Sequence, residues 1–504
     1  MSPFPGVTAV VLVSLATVGI GAFGLRISRT TSDFYVASRL VGPVANASAI
    51  SGEYLSAASF LGVAGLVLAR GADSLWYGVG WTAGYLVLLV FVAAPLRRSG
   101  AYTLPDFAQL RVESLGARRV ASGLVVLIGV LYLIPQFQGA GLTFRALTGA
   151  PSWVGAVLVS LIVLAIVVSG GMRSITLVQA FQYWLKLVAM LLPITFLLVA
   201  WRGGHGQVIG RLDVRSWVEP LTGPHDLYLT YSLILATFLG TMGLPHVVVR
   251  FYTNRDGRAA RRTTVAVLGL LSCFYLLPPL YGVLGRLYAV DLVGSGRSDS
   301  VVLELPGRVL GGTAGDLLTA LLGAGAFAAF LSTSSGLLVS IGGVLSQDLL
   351  SRRFDGVRAF RLASTLGAVV TLGLTLASTG LAVAHAVELA FAVAASTFCP
   401  LLLLGIWWRG LTAVGAVVGL VLGGAASAAA VGMTMFGVHP HGWLGPVLAQ
   451  PALVTVPFAF ASMIATSVLT RGAMPAHVSR TMVRLHAPEQ VALDRGSYHP
   501  ERAG

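Results

Sequence analysis

The chain has 504 residues, of which 56% are hydrophobic and 10% charged, with a mean hydropathy of +0.84. Soluble domains carry about 25% charged residues, so this composition excludes a water-soluble enzyme, a disordered chain and a secreted disulfide scaffold, and it requires lipid as the main solvent. The formal net charge of +14 is scattered between apolar segments rather than gathered on a soluble face, which sets nucleic acid aside as a partner.

A helix needs about 20 apolar residues to cross the hydrocarbon. Thirteen runs meet that requirement, near 5–25, 43–69, 74–96, 119–146, 152–171, 174–200, 227–249, 262–285, 313–347, 359–380, 384–408, 411–436 and 447–470. The first has no basic residue before it and Arg26, Arg29 and Arg39 behind it, so it reads as an inserted helix with its N-terminus outside, not a cleaved signal. Alternation from there places 24 of the 32 arginines in the cytoplasm, the group from Arg250 to Arg262 among them, and eight outside. A multi-pass protein of the cell membrane follows. The one lysine, Lys186, falls inside the sixth run. After the thirteenth run the tail from Arg471 to Gly504 is polar, without a periodic apolar face, and is expected to be cytoplasmic and mostly disordered.

The longest loops, near 201–226 and 286–312, are too short for a soluble catalytic domain. Cys273 and Cys399 lie in apolar runs without a CxxC spacing, and no GxSxG, HExxH or P-loop pattern occurs. An enzyme is not expected. Nothing in the sequence implies an obligate protein partner.

Three runs are unusual for lipid-facing helices. The second reads Ala45-Asn-Ala-Ser-Ala-Ile-Ser-Gly-Glu-Tyr-Leu-Ser-Ala-Ala-Ser59, with Glu53 at its centre. The seventh carries Thr237-Phe-Leu-Gly-Thr-Met-Gly-Leu-Pro-His246, and the ninth Ala328-Ala-Phe-Leu-Ser-Thr-Ser-Ser-Gly336. Gly and Pro loosen the backbone ladder, and freed carbonyls at membrane depth survive only where they line an enclosed cavity. Such interrupted helices bind ions and charged solutes in secondary transporters. Close helix packing is the competing explanation, and it is preferred for Gly415, Gly419 and Gly423 of the twelfth run.

The second and seventh runs stand five apart. A five-helix unit over roughly 43–200, repeated over 227–408, gives opposite topology, because five is odd. The expectation is an all-α polytopic protein with a five-plus-five inverted repeat, its broken helices meeting at the midplane within a transmembrane domain spanning residues 1–470.

Several stretches carry a family resemblance. They are Ser32-Asp-Phe-Tyr-Val-Ala-Ser-Arg39, Gly52-Glu-Tyr-Leu-Ser-Ala-Ala-Ser-Phe-Leu-Gly62, Tyr102-Thr-Leu-Pro-Asp-Phe107, Gly170-Gly-Met172 with Val178-Gln179, Gly243-Leu-Pro-His246 leading into Arg250-Phe-Tyr-Thr253, and Ser332-Thr333 ahead of Ser346-Gln-Asp-Leu349. With these the chain resembles the sodium:solute symporter family, and within it the cation/acetate (monocarboxylate) symporters. The resemblance implies the amino-acid/sodium symporter-like fold and a Na⁺ site between the second and ninth helices. Carried over by position, its ligands are the carbonyls of Gly52, Leu55 and Ala329 and the hydroxyls of Ser332 and Thr333. Neutral oxygens of this kind replace part of a hard cation's water shell.

Sugar and proline relatives have an Asp at the position aligned with Gln179, and proline transporters another at the position of Tyr54. Both are missing here. Glu53 therefore stands as the acid of the ion path, with H⁺ in place of Na⁺ left open as the coupling ion. Lys186 follows Gln179 and Gln182 on one helical face, expected to line the aqueous interior, and either snorkels or pairs with Glu388. For an anionic solute, the helix N-terminal amides at the breaks supply positive potential. Ser56, Ser59, Thr237 and Thr241 would donate from their hydroxyls, and His246 would either contact the carboxylate or pack. The function expected is cation-coupled symport of a small monocarboxylate such as acetate; symport of another small solute, or sensing with a separate partner, is the alternative.

Overall fold

The computed structural model describes residues 3–25, 42–212, 215–223, 225–351, 353–354, 356–377, 383–435, 437–438 and 440–488. Among these residues every regular element is helical, and twelve helices are long and apolar enough to cross a membrane. One of the twelve, Ala58–Ser99, holds the end of the second expected run and all of the third, on either side of a 3₁₀ turn at Gly71–Ser74. Gly71 has φ +72°, and a Cβ there would strike the Trp217 carbonyl, so only glycine fits this corner. Ser152–Arg202 is helical throughout and holds the fifth and sixth runs, as Ser152–Ser169 and Ser174–Arg202.

Burial sorts the helices into a core and an outer layer. The apolar window of Val383–Trp407 is 89% buried, against 28% for Phe4–Phe23 and 33% for Ala452–Leu469. The first and last runs therefore lean on the bundle from outside. Leu191, Phe196 and Val199 are exposed along the Ser174–Arg202 helix, as a lipid-facing stripe requires. The Gly312–Leu345 helix is the central post, packed against Ser152–Arg202 and Leu115–Thr148.

The second run breaks where expected. Pro43–Tyr54 ends at Leu55, whose ψ of 87° is not helical, and the chain resumes as a π turn at Ala58–Gly62 before Val63–Arg70. The amide of Ala57, orphaned by the break, donates to Gln136 Oε1 at 3.0 Å from the Leu115–Thr148 helix. Gly52 lets the neighbouring helix approach until a Cβ would strike the Gln179 carbonyl. The seventh run is also interrupted. Asp226–Gly243 stops at Leu244 (ψ 118°) and restarts as Pro245–Val249, because Pro245 has no N–H to continue the ladder.

Two expectations are corrected. The ninth run is not broken at Ala328–Gly336: Gly312–Leu345 is one continuous helix whose hydroxyls bond back into it, Ser332 Oγ to Ala329 O at 3.0 Å and Ser335 Oγ to Ser332 O at 2.9 Å. Its glycines serve packing, Gly325 against Phe60 and Ala189 and Gly336 against Glu53. The start of the tail is also structured. Val478–His486 is helical, with Leu485 buried and the His486 carbonyl accepting from Arg98 Nη1 at 3.1 Å. The Ser32–Arg39 motif, Arg26, Arg29 and residues 489–504 lie outside the described residues. In the twelfth run Gly415 and Gly419 pack against Ser467 and Met463, and Gly423 against the Ser396 carbonyl.

Candidate functional site

The five residues aligned as cation ligands gather in one buried network, and Lys186 reaches into its middle. Its Nζ donates to the Gly52 carbonyl, to the Leu55 carbonyl at 2.8 Å and to Ser332 Oγ at 2.7 Å. Those two carbonyls are free because the second helix stops there. Ser332 passes its own proton to the Ala329 carbonyl. Thr333 is turned elsewhere, donating to the Glu53 carbonyl at 2.6 Å and tying the end of the broken helix to the central post. These oxygens suit a cation, but the place of that cation is filled by a side chain. Lys186 neither snorkels nor meets Glu388, whose Oε2 instead accepts from Tyr77 OH at 2.6 Å.

Glu53 is not a lone acid. Its Oε2 pairs with Arg250 Nε at 2.6 Å, both side chains almost wholly buried. Arg250 also donates to Thr176 Oγ1 at 2.8 Å and to Gln179 Oε1, and Gln179 Nε2 continues to the Ser332 carbonyl at 2.8 Å. The neutral Gln179 is thus a two-sided connector. Contrary to expectation, Arg250 does not lie with the cytoplasmic loop arginines. It belongs to the interior, one turn beyond the second helix break. Gln182 departs from this face and donates to Thr17 on the first helix at 3.2 Å, so it is buried rather than lining an aqueous interior.

Beside this network lies an aromatic enclosure around the break at Leu55–Ala57. Phe391 sits within ring contact of Tyr54, Trp81 and Tyr132 at centroid distances of 6.3, 5.8 and 5.7 Å. Tyr85 meets Tyr54 edge-on at 4.8 Å, and His246 meets Tyr132 at 5.3 Å. Trp81 Nε1, Tyr85 OH and both ring nitrogens of His246 are buried there without a hydrogen-bond partner. Buried polar groups are normally satisfied, and these four atoms stand together in one enclosure without a partner.

Of the expected solute contacts, Ser56 faces Tyr132, and Ser59 Oγ pairs with Tyr275 OH at 2.8 Å. Thr237 and Thr241 spend their protons on their own helix, on the Leu233 carbonyl at 2.8 Å and the Thr237 carbonyl at 2.7 Å, which leaves them as acceptors only. A cavity of about 1040 Å³ reaches Leu61 of the π turn from the side of residues 296–316, with Arg145, Asp299 and Asp316 on its walls. The opposite end carries a cluster of ion pairs. There Asp106 pairs with Arg118 at 2.8 Å, Arg118 with Asp348 at 2.6 Å, and Arg97 donates to the Asn254 carbonyl at 2.5 Å. Among the described residues no group of His, Cys, Asp and Glu could hold a transition metal.

The model of the sodium:solute symporter family matches residues 34–423. The chain belongs to the sodium:solute symporter family. It is 32% identical over 478 residues to YwcA, an uncharacterized symporter of Bacillus subtilis (strain 168), covering 89% of this chain and 92% of that protein. Solved structures share the fold at lower identity. A Na⁺-coupled sialic acid symporter in a substrate-bound outward-open state superposes with a TM-score of 0.69 at 15% identity, over 92% of this chain and 98% of that one. MHP1, a nucleobase-cation-symport-1 family transporter, gives a TM-score of 0.57 at 15% identity, over 90% and 99%. MhsT in complex with L-phenylalanine gives 0.53 at 16%, over 83% and 98%.

Proposed function

We propose that this symporter moves a small monocarboxylate such as acetate into the cell, driven by a cation gradient through alternating access. The observation that carries the reading is the set of unpartnered donors, Trp81 Nε1, Tyr85 OH and His246, enclosed by aromatic rings at the helix break. A carboxylate has about four lone-pair sites and takes such donors, and rings limit the guest to a small apolar tail. The positive end of the helix resuming at Ala58 adds to the attraction for an anion. Ser56 precedes that turn and Ser59 lies within it; Thr241 pairs with Tyr54 OH at 2.7 Å, and Thr237 with the ion-path residues Glu53 and Gln179 completes the proposed set.

The protein sits in the cell membrane with its N-terminus outside and its C-terminus in the cytoplasm, a reading supported by the excess of arginine on one side. On that orientation the 1040 Å³ cavity opens outward and the Asp106–Arg118–Asp348 cluster closes the cytoplasmic end. Labelled acetate uptake into proteoliposomes, under imposed Na⁺ or H⁺ gradients, tests the proposal. Accumulation that follows one gradient supports it; uptake indifferent to both, with no acetate counterflow, overturns it.

A further inference from the structure

We infer that the cation of the site between the second and ninth helices is the chain's own Lys186 ammonium, and that Na⁺ does not bind there. The inference rests on the symport reading above only for its consequence in transport; the geometry stands without it.

An ammonium has three N–H donors and no acceptor. Lys186 finds three acceptors, Gly52 O, Leu55 O and Ser332 Oγ, and none of its donors is left over. These are three of the five oxygens that the family resemblance assigns to sodium. A fourth, Ala329 O, is occupied by the Ser332 proton, and the fifth, Thr333 Oγ1, points to the Glu53 carbonyl. A sodium ion placed among them would touch a like charge with no water between. Both cannot stay.

The sequence carries an independent sign of the same thing. The chain has 33 basic residues and uses arginine for all but one. Its one lysine lies at this point. A guanidinium is planar and forked, whereas an ammonium is a compact point charge with three rotatable donors, and only the latter can stand where a spherical ion would. The lysine is also costly at membrane depth, and the two carbonyls released by the helix break are the groups that offset that cost. Gln179, seven residues earlier on the same helix, holds the Ser332 carbonyl at 2.8 Å, so the donor helix is clamped to the post on which the acceptor hydroxyl sits.

The test is ²²Na⁺ retention by the purified full-length protein, read beside acetate counterflow in proteoliposomes with Na⁺ or N-methylglucamine as the bulk cation. Wild type is expected to show no ²²Na⁺ retention that Ser332→Ala removes, and counterflow that changes less than twofold between the two cations. Lys186→Ala vacates the position, and is expected to gain Na⁺ retention at least tenfold over wild type, lost again when Ser332→Ala is added. Wild-type retention that Ser332→Ala abolishes, in a variant whose unfolding temperature is unchanged, overturns the inference. Should Lys186→Ala fail to fold, the wild-type and Ser332→Ala arms decide alone. Absence of acetate counterflow under every condition would sink the monocarboxylate reading and leave the ²²Na⁺ result to judge this one.

Discussion

Two neighbouring regions of this molecule treat their buried polar groups in opposite ways. Around Lys186 the donors meet acceptors from the chain itself, linking Gly52, Leu55, Ser332, Ala329, Gln179, Arg250 and Glu53. A ring contact away, Trp81, Tyr85 and His246 keep polar atoms buried and unpaired. A protein that can satisfy a lysine at membrane depth can satisfy a tryptophan. The contrast is between a region whose cationic donors all find acceptors in the chain, although Glu53 Oε1 is left without one, and a region whose donors find none, as the proposed solute site requires.

The comparison can be broken at its strong side first. Arg250→Ala strands Glu53 as an unpaired buried carboxylate, and losing one partner of a buried pair costs about 3–5 kcal/mol. Denaturation in detergent should show the variant largely unfolded, while Glu53→Gln with Arg250→Met recovers much of the loss. On the open side, His246→Phe and Tyr85→Phe should each weaken acetate binding about tenfold, roughly 1.4 kcal/mol, with little loss of folding stability, because each keeps its ring and neither polar group has a hydrogen-bond partner to abandon. A fall in unfolding temperature with unchanged binding would reverse the assignment.

A smaller effect is expected at the break itself. Gln136→Leu leaves the Ala57 amide unsatisfied, which costs about 1–3 kcal/mol; hydrogen exchange at Ala57 should accelerate before any other site in the second helix. Smallest of all is the surface control. Asp291 meets Arg308 at 2.5 Å, half in solvent, and the guanidinium holds its carboxyl below the usual carboxylate range. Its stabilisation is therefore present above the unfolded value near pH 4 and lost as pH falls through the lower, folded value. Asp291→Asn should shift stability by less than about 1 kcal/mol at neutral pH, against several for the buried pair.

The breaks at Leu55 and Leu244 were legible because Gly, Pro and hydroxyl residues cluster where the ladder fails. The ninth run shows the limit of that signal. Ser332, Thr333 and Ser335 have the same composition, but their hydroxyls fold back on an intact helix, and only the packing around them decides between the two outcomes. The spacing puts Lys186 on one helix face with Gln179, yet its acceptors lie more than 130 residues away. Arg250 read as a loop charge because the apolar run stops at Val249; its partner Glu53 is 197 residues distant. The aromatic enclosure draws Tyr54, Trp81, Tyr132, His246 and Phe391 from five separate runs, and no local pattern announces such a meeting.

The proposed role of the unpartnered donors in the aromatic enclosure is tested most directly by equilibrium binding of labelled acetate to the purified protein. Wild type should bind saturably, and the Tyr85→Phe/His246→Phe pair should bind at least tenfold more weakly at an unchanged unfolding temperature. Equal binding by wild type and the pair would contradict the account.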